Sequence, residues 1–99
     1  MEIITLTHGK CQNTSCEIYL FGATVTSWKV DGSQNIIFVS KNAKLDGTIA
    51  IRGGIPVCFP QFGPWEFGAQ HGFARSSKEW KVASKPTVDE ISGDAKVCI

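Results

Sequence analysis

The sequence predicts an all-β fold, and three observations carry that prediction. Short segments rich in β-branched and aromatic residues alternate along the chain, which is typical of strands. Turn signals separate them at the short spacing expected of an antiparallel β-sandwich or barrel. No stretch has the apolar period of a helix of three turns. The length of 99 residues suits one domain and is too short for two.

Three strands are predicted in the first thirty residues. Ile3–Thr7 forms the opening strand. In Cys16–Phe21 apolar residues occupy alternate positions, so one face of this strand is expected to be buried. Gly22 ends that run, and Thr24–Val30 has the β-branched and aromatic content of the next strand.

Further elements follow a turn at Asp31–Ser33. Asn35–Ser40 is apolar enough to form a strand buried on both faces, and Glu79–Ala83 is expected to form a later strand. Lys41–Leu45 is predicted to form a single helical turn. No internal repeat and no low-complexity segment is present.

The last residues carry one more strand signal. Ser92–Asp94 has the composition of a turn, and Ala95–Ile99 begins an apolar strand after it. No earlier segment is an obvious partner, and an unpaired strand exposes an edge that promotes aggregation. We therefore expect residues 1–99 to be part of a single, longer domain.

Composition narrows the classes of partner. Ten basic and nine acidic residues give a net charge of +1, which is too small to attract nucleic acid or an anionic membrane by its field alone. No signal peptide and no apolar run of roughly 20 residues is visible, so a cytoplasmic location without a membrane partner is expected.

The four cysteines lack the paired spacing of a zinc site, so we expect the chain to hold no metal. We expect Cys16, Cys58 and Cys98 to be reduced residues of the core.

The segment Ile49–Arg75 differs from the rest of the chain. Glycine and proline recur every few residues, yet five aromatic residues lie between them. A long irregular segment with that aromatic content indicates a packed, rigid loop and not disorder. Its polar residues are Arg52, Gln61, Glu66, Gln70, His71 and Arg75.

Two arginines in an aromatic loop suit the recognition of an anionic sugar. Guanidinium groups bind phosphate through two parallel hydrogen bonds, and aromatic faces pack on the C–H patches of a sugar ring. The residue types alone leave alternatives open, because a loop arginine is commonly a solvated surface residue and a single histidine such as His71 is commonly structural. His8 lies in a terminal turn and is assigned no role.

Three motifs in order strengthen the sugar-phosphate interpretation. The segments Asn42–Gly47, Ile51–Gly63 and Gln70–Arg75, followed by Trp80, resemble the glucose-6-phosphate 1-epimerase family, within the aldose 1-epimerase (galactose mutarotase-like) superfamily. Phe21–Trp28 also resembles the early strand pair of that family. The resemblance covers residues from about 15 to 81.

The resemblance implies an N-terminal part of a large antiparallel β-sandwich whose members interconvert the α and β anomers of a hexose 6-phosphate without a cofactor. It implies that Arg52, Gln70 and Arg75 contact the sugar phosphate and that His71 lies beside them. In the family, the general-acid histidine and the general-base glutamate lie beyond the region that this chain matches. The expectation is therefore a substrate-holding part with no catalytic residue of its own.

Three hypotheses follow. The chain is part of a hexose-6-phosphate epimerase, a non-catalytic module that binds sugar phosphates, or a structural β domain. The third fits least well, because two arginines, a glutamine and a histidine are costly to place in an aromatic loop for packing alone.

Overall fold

The computed structural model describes all 99 residues and contains strands and 3₁₀ helices but no α-helix. The strands are β1 (Ile3–Thr7), β2 (Ser15–Tyr19), β3 (Thr24–Lys29), β4 (Ser84–Val88) and β5 (Ala95–Cys98). The 3₁₀ helices are Phe21–Ala23 and Ala74–Ser76, and no helix is long and apolar enough to cross a membrane. The first three strands form an antiparallel meander, and β4 and β5 form a hairpin. The predicted all-β class is confirmed.

The meander confirms the first three predicted strands to within two residues at every end. Ile4 lies opposite Ile18 in the register of β1 and β2, and both side chains are buried. β2 ends earlier than predicted because the chain turns into the first 3₁₀ helix, where Gly22 has a φ of 69°. A register shift between β2 and β3 leaves Thr26 without a partner, which is a β-bulge.

The predicted strand at Asn35–Ser40 is wrong. These residues form no strand, and the Phe38 side chain is 76% exposed instead of buried. The cause is the Asn35 side chain, which occupies the open edge of β3. Its Oδ1 accepts the N–H of Trp28 at 2.8 Å, and its Nδ2 donates to the carbonyl of Thr26 at 3.1 Å. A side chain therefore satisfies backbone groups that a neighbouring strand would otherwise pair with.

Two other predicted elements are also wrong. Glu79–Ala83 is irregular, and the strand begins afterwards as β4, which contains Pro86. Every residue of β4 is exposed, and an edge strand tolerates a proline that a central strand would not. Because β4 pairs with β5, the expectation that β5 has no partner is wrong as well.

The predicted helical turn at Lys41–Leu45 is not present. This segment contains a turn that is closed by a hydrogen bond from the Ala43 N–H to the Ser40 carbonyl (3.1 Å).

The core is thin. Thirteen of the 99 residues are buried, and the apolar ones are Ile4, Ile18, Phe21, Ile51 and Ala74. The radius of gyration is 14.7 Å, above the roughly 13 Å of a compact chain of this length. Three contacts tie the hairpin turn to the β1–β2 loop: His8 Nε2 to Asp94 Oδ1 at 3.0 Å, the Gly9 N–H to the Gly93 carbonyl at 2.7 Å, and Lys10 Nζ to the Ile91 carbonyl.

All four cysteines are free thiols. Cys16 and Cys58 are half-buried, and burial, with a smaller contribution from the charge of Glu17, raises the pKa of the Cys16 thiol. The expected burial of Cys98 is wrong: it is exposed because it lies at the end of β5 away from the turn, opposite the exposed Ser84.

Candidate functional site

A cavity of about 640 Å³ lies beside the segment Ile49–Arg75, which we call the site loop. That volume falls within the range of small-molecule sites. Its charged and hydrogen-bonding side chains are those of Asn42, Lys44, Arg52, His71 and Arg75. The structure thus brings together three of the four predicted site residues. Gln70 does not line the cavity; its side chain is exposed, and its carbonyl accepts Arg75 Nη2 at 3.2 Å.

Two glycines place Arg52. Gly53 and Gly54 have φ values of 117° and 70°, in the region that favours glycine. A Cβ on Gly53 would lie 2.6 Å from the Phe38 carbonyl oxygen, and one on Gly54 would overlap the Val25 carbonyl. The loop therefore packs closely between β3 and the Phe38 segment. Arg52, which directly precedes these two glycines in the chain, lines the cavity.

His71 is held by Gly63 through two hydrogen bonds. The Gly63 N–H donates to His71 Nδ1 at 2.9 Å, and the His71 N–H donates to the Gly63 carbonyl at 2.8 Å. Because Nδ1 accepts, the proton of the neutral imidazole is assigned to Nε2. His71 adopts a φ of 61°, and its ring lies 4.8 Å from that of Phe62. The residue presents a fixed Nε2–H donor on a ring that lines the cavity.

The Gln61 side chain closes the base of the turn between Gly63 and His71. Its Nε2 donates to the carbonyls of Gly63 (3.2 Å) and Ala69 (2.6 Å). Glu66 lies between these two anchor points; it is exposed and does not line the cavity. The turn is therefore fixed by its own side chains, with its single carboxylate outside the cavity.

Arg75 is positioned by contacts that lead back to the meander. It lies in the second 3₁₀ helix, whose Ala74 carbonyl accepts Trp80 Nε1 at 2.9 Å. The Gly22 N–H donates to the Ser77 carbonyl at 3.0 Å, and a Cβ on Gly22 would overlap the Arg75 carbonyl. The two 3₁₀ helices are thus in backbone contact, which couples Arg75 to the end of β2.

The cavity carries positive charge without a counter-charge. No aspartate or glutamate lines it, and the one contact of salt-bridge length in the chain, between His8 and Asp94, lies elsewhere. Neither Arg52 nor Arg75 has a carboxylate partner. Guanidinium groups without a carboxylate partner, beside a fixed N–H donor, have the chemistry needed to bind an oxygen-rich anion.

Lys44 is the lining cation that sequence reasoning missed. It lies within one of the motifs that carry the family resemblance, but no charge pattern or turn signal around it distinguishes it from other surface lysines. No group of three or more histidine, cysteine, aspartate or glutamate side chains is arranged to hold a metal ion.

Comparison with known proteins agrees with the fold and the motifs. Residues 2–98 match the family profile described as "Aldose 1-epimerase". The chain is 47% identical over 75 residues to the "Putative glucose-6-phosphate 1-epimerase" of Cenchrus ciliaris, covering 76% of this chain and 22% of that protein. It is 37% identical over 81 residues to the protein of the same name from Escherichia coli (strain K12), covering 77% and 26%.

A solved structure of a protein described as a mutarotase also resembles this chain in fold and sequence. The crystal structure of "a putative mutarotase (YeaD) from Salmonella typhimurium" superimposes with a TM-score of 0.73 at 31% sequence identity. The match covers 89% of this chain and 29% of that one. The chain spans about a quarter of the length of the curated relatives that it matches. Because the family profile matches nearly its whole length, the chain belongs to the aldose 1-epimerase family.

Proposed function

We propose that the cavity binds a hexose 6-phosphate, and that the chain is the substrate-holding part of a protein that interconverts the α and β anomers of that sugar. One observation carries the proposal: Arg52, Arg75 and the fixed donor of His71 line one cavity that contains no carboxylate. The names of the relatives, which refer to glucose 6-phosphate, support the same substrate class.

Each lining group has a task in this proposal. The guanidinium groups of Arg52 and Arg75 hold the phosphate, whose terminal oxygens accept charge-assisted hydrogen bonds. His71 donates its Nε2–H to a sugar oxygen, and the exposed ring of Phe62, which also lines the cavity, packs against the C–H face of the sugar. These contacts orient the sugar ring without taking part in proton transfer.

Anomer interconversion needs two further groups. A base removes the proton of the anomeric hydroxyl while an acid protonates the ring oxygen, so that the C1–O5 bond breaks and an open-chain aldehyde forms. Rotation about the C1–C2 bond and reclosure on the other face return both protons and give the other anomer. The base and the acid must flank the sugar in complementary protonation states.

We expect the 99-residue chain to lack this activity. His71 uses Nδ1 to accept the Gly63 N–H, and Glu66 lies outside the cavity, so no acid–base pair faces a bound sugar. Each missing group typically removes 10²–10⁴-fold in rate. NMR exchange spectroscopy on glucose 6-phosphate measures anomer interconversion directly. Interconversion clearly faster than in buffer would contradict the expectation.

A second candidate function is a non-catalytic module that binds sugar phosphates, and the carboxylate-free cavity favours it. A longer form of the protein that restores anomer exchange would support the epimerase. A 99-residue product that binds glucose 6-phosphate, with no longer form that turns it over, would support the binding module.

Arg75→Ala tests the assignment of the phosphate. Loss of one charge-assisted hydrogen bond should weaken glucose 6-phosphate binding by about 1.5–3 kcal/mol. Glucose itself should bind almost as before, because it has no phosphate to lose. Arg75 Nη2 also donates to the Gln70 carbonyl, so the substitution could loosen the loop. A loosened loop would weaken the binding of both ligands, whereas loss of the phosphate contact would weaken only glucose 6-phosphate binding. Calorimetry or NMR titration measures both affinities, and equal losses for the two ligands would refute the phosphate role.

A further inference from the structure

The cavity contains a third cation on a segment separate from the site loop. Lys44 and Asn42 line it together with Arg52 and Arg75, although they belong to the segment Asn42–Gly47, which precedes the site loop. Lys44 is exposed and has no carboxylate within salt-bridge distance. Its ammonium is therefore available to an anion in the cavity.

The backbone ties the Lys44 segment to Arg52. The Ser40 N–H donates to the Arg52 carbonyl at 2.9 Å, and the Ser40 carbonyl accepts the Ala43 N–H at 3.1 Å. Ser40 Oγ also accepts the Asn42 N–H at 3.1 Å. The turn that carries Lys44 is thus anchored to the backbone of the residue that supplies one of the guanidinium groups.

The nearby carboxylate of Asp46 has its own partners. Its Oδ1 accepts the hydroxyl of Thr48 at 2.6 Å and the Thr48 N–H at 3.1 Å. These two bonds lower the pKa of Asp46, and the charge of Lys44 adds a smaller effect in the same direction. Asp46 does not line the cavity. Lys44 makes no salt bridge with Asp46, and none of its three N–H donors has a hydrogen-bond partner within the protein.

A phosphate monoester fits three cations better than two. It carries a charge of about −1.5 to −2 at pH 7 and has three terminal oxygens. Lys44, Arg52 and Arg75 line one cavity from separate segments. Two guanidinium forks offer paired hydrogen bonds to phosphate oxygens, and a lysine supplies a point charge that needs no planar alignment. A neutral hexose would gain nothing from the third charge.

We propose that Lys44 is a specificity-determining residue that favours phosphorylated over unphosphorylated hexoses by placing a third positive charge at the phosphate. This inference rests on the proposed function, because it assumes that the cavity takes a hexose 6-phosphate. It goes further by assigning a phosphate contact to Lys44, which the sequence analysis gave no role, and by predicting its effect on selectivity.

The test compares Lys44→Gln with Lys41→Gln in the full 99-residue chain. Lys41 is exposed, lies three residues earlier and does not line the cavity, so both variants lose the same charge from the same segment. NMR titration gives the dissociation constants for glucose 6-phosphate, inorganic phosphate and glucose. We expect Lys44→Gln to bind the two phosphate ligands about five- to tenfold more weakly, the size of one partly solvated charge pair. Lys41→Gln should change them less than about twofold, because a distant surface charge is screened.

Two further measurements sharpen the test. Lys44→Arg keeps the charge and should bind within about threefold of the unmodified chain, whereas a purely structural role would not be rescued by charge. Raising the salt concentration should reduce the difference between Lys44→Gln and Lys41→Gln. Two-dimensional NMR spectra of the variants check that the fold is retained, and Lys44→Met, which also removes the charge, replaces Lys44→Gln in the comparison if Lys44→Gln is misfolded.

The outcomes separate this inference from the proposed function. If the unmodified chain shows no preference for glucose 6-phosphate over glucose, the proposed function fails and this inference fails with it. If the preference is present and Lys44→Gln behaves like Lys41→Gln, the inference about Lys44 alone is overturned. A selective loss of phosphate binding in Lys44→Gln supports both.

Discussion

The meander of β1–β3 and the site loop contact each other, yet their backbones are held in different ways. In the meander, regular ladders pair five residues of β1 with β2 and five of β2 with β3. In the site loop, backbone groups are paired singly, by Gly63 with His71, by Phe59 with Phe73 and by the Gln61 side chain with two carbonyls. A ladder accepts many side chains, whereas each loop contact depends on one residue.

The difference teaches where sequence identity matters most. A strand residue needs a suitable shape on the correct face, so several β-branched or aromatic residues serve. The site loop contains Gly53, Gly54, Gly63 and Gly72, all with positive φ, and an added Cβ at three of these would collide with backbone. The cavity residues are therefore positioned by close backbone contacts that only glycine allows. Substitutions at these glycines should affect function more than most changes in the meander.

The largest expected effect comes from Gly72→Ala. Gly72 has a φ of 78°, and a Cβ would overlap the Phe59 carbonyl, which accepts the N–H of Phe73 at 2.9 Å. Backbone strain and overlap together should lower the free energy of unfolding by about 3 kcal/mol or more, or abolish the cooperative unfolding transition. Urea unfolding followed by tryptophan fluorescence measures the free energy of unfolding.

Gly63→Ala is the matched control for this prediction. Gly63 also has a positive φ, 87°, but a Cβ there would meet no atom within 4 Å. Gly63→Ala should therefore lower the free energy of unfolding only by the conformational strain, about 1–2 kcal/mol. Equal losses for the two variants would show that crowding at Phe59 does not hold the site loop.

The contrast also explains which features could be predicted from the sequence. Alternation of apolar residues along Cys16–Phe21 identified β2 as a strand, although only Ile18 of its five residues is buried and the other four are half-buried. Asn35–Ser40 was mispredicted because hydrophobicity does not reveal that the Asn35 side chain occupies the edge of β3. Pro86 concealed β4, since proline ordinarily argues against a strand and only an exposed edge accepts it.

The site could be predicted in part for a related reason. Arg52, His71 and Arg75 lie in glycine-rich motifs, and the structure brings them to one cavity. The contribution of Gln70 through its carbonyl depends on the local backbone path, and the approach of Lys44 depends on the bond between Ser40 and Arg52. Long-range backbone pairings of this kind leave no periodic pattern in the sequence.

An intermediate effect is expected at the bulge of the meander. Thr26 is 7% exposed, and its Oγ1 is buried without a hydrogen-bond partner. Thr26→Val keeps the branched shape and removes the unpaired hydroxyl, so it should raise the free energy of unfolding by about 1 kcal/mol. Urea unfolding measures the change, and a loss of stability would indicate that the hydroxyl has a partner in solution.

Thr24→Val provides the control at the start of the same strand. Thr24 is 1% exposed, and its hydroxyl donates to the Gly22 carbonyl at 3.4 Å. Removing that long hydrogen bond should be neutral or cost up to about 1 kcal/mol. A gain in the free energy of unfolding for Thr26→Val together with a loss for Thr24→Val would show that the meander tolerates changes that conserve shape. Its stability would then depend mainly on whether the removed hydroxyl had a hydrogen-bond partner.

The smallest effect is expected at the turn of the hairpin, which like the site loop depends on single contacts. Asp89 Oδ1 accepts the N–H groups of Ser92 and Ile91, each at 2.8 Å, and these bonds lower the pKa of Asp89 below its ordinary value of 3.8. Because the folded state favours the carboxylate, its stabilisation is complete above pH 3.8 and is lost as the pH falls through the lowered pKa.

Asp89→Asn isolates this contribution, since the amide oxygen can still accept both N–H groups but does not titrate. We expect the unmodified chain to be more stable than the variant at pH 5, and the difference to shrink towards zero as the pH approaches 2. The effect should be small, because solvent screens a fully exposed carboxylate. Thermal unfolding at a series of pH values measures it. A difference that stays constant from pH 5 to pH 2 would mean that geometry alone holds this turn, as it does at Gly72, and that the charge of Asp89 contributes nothing.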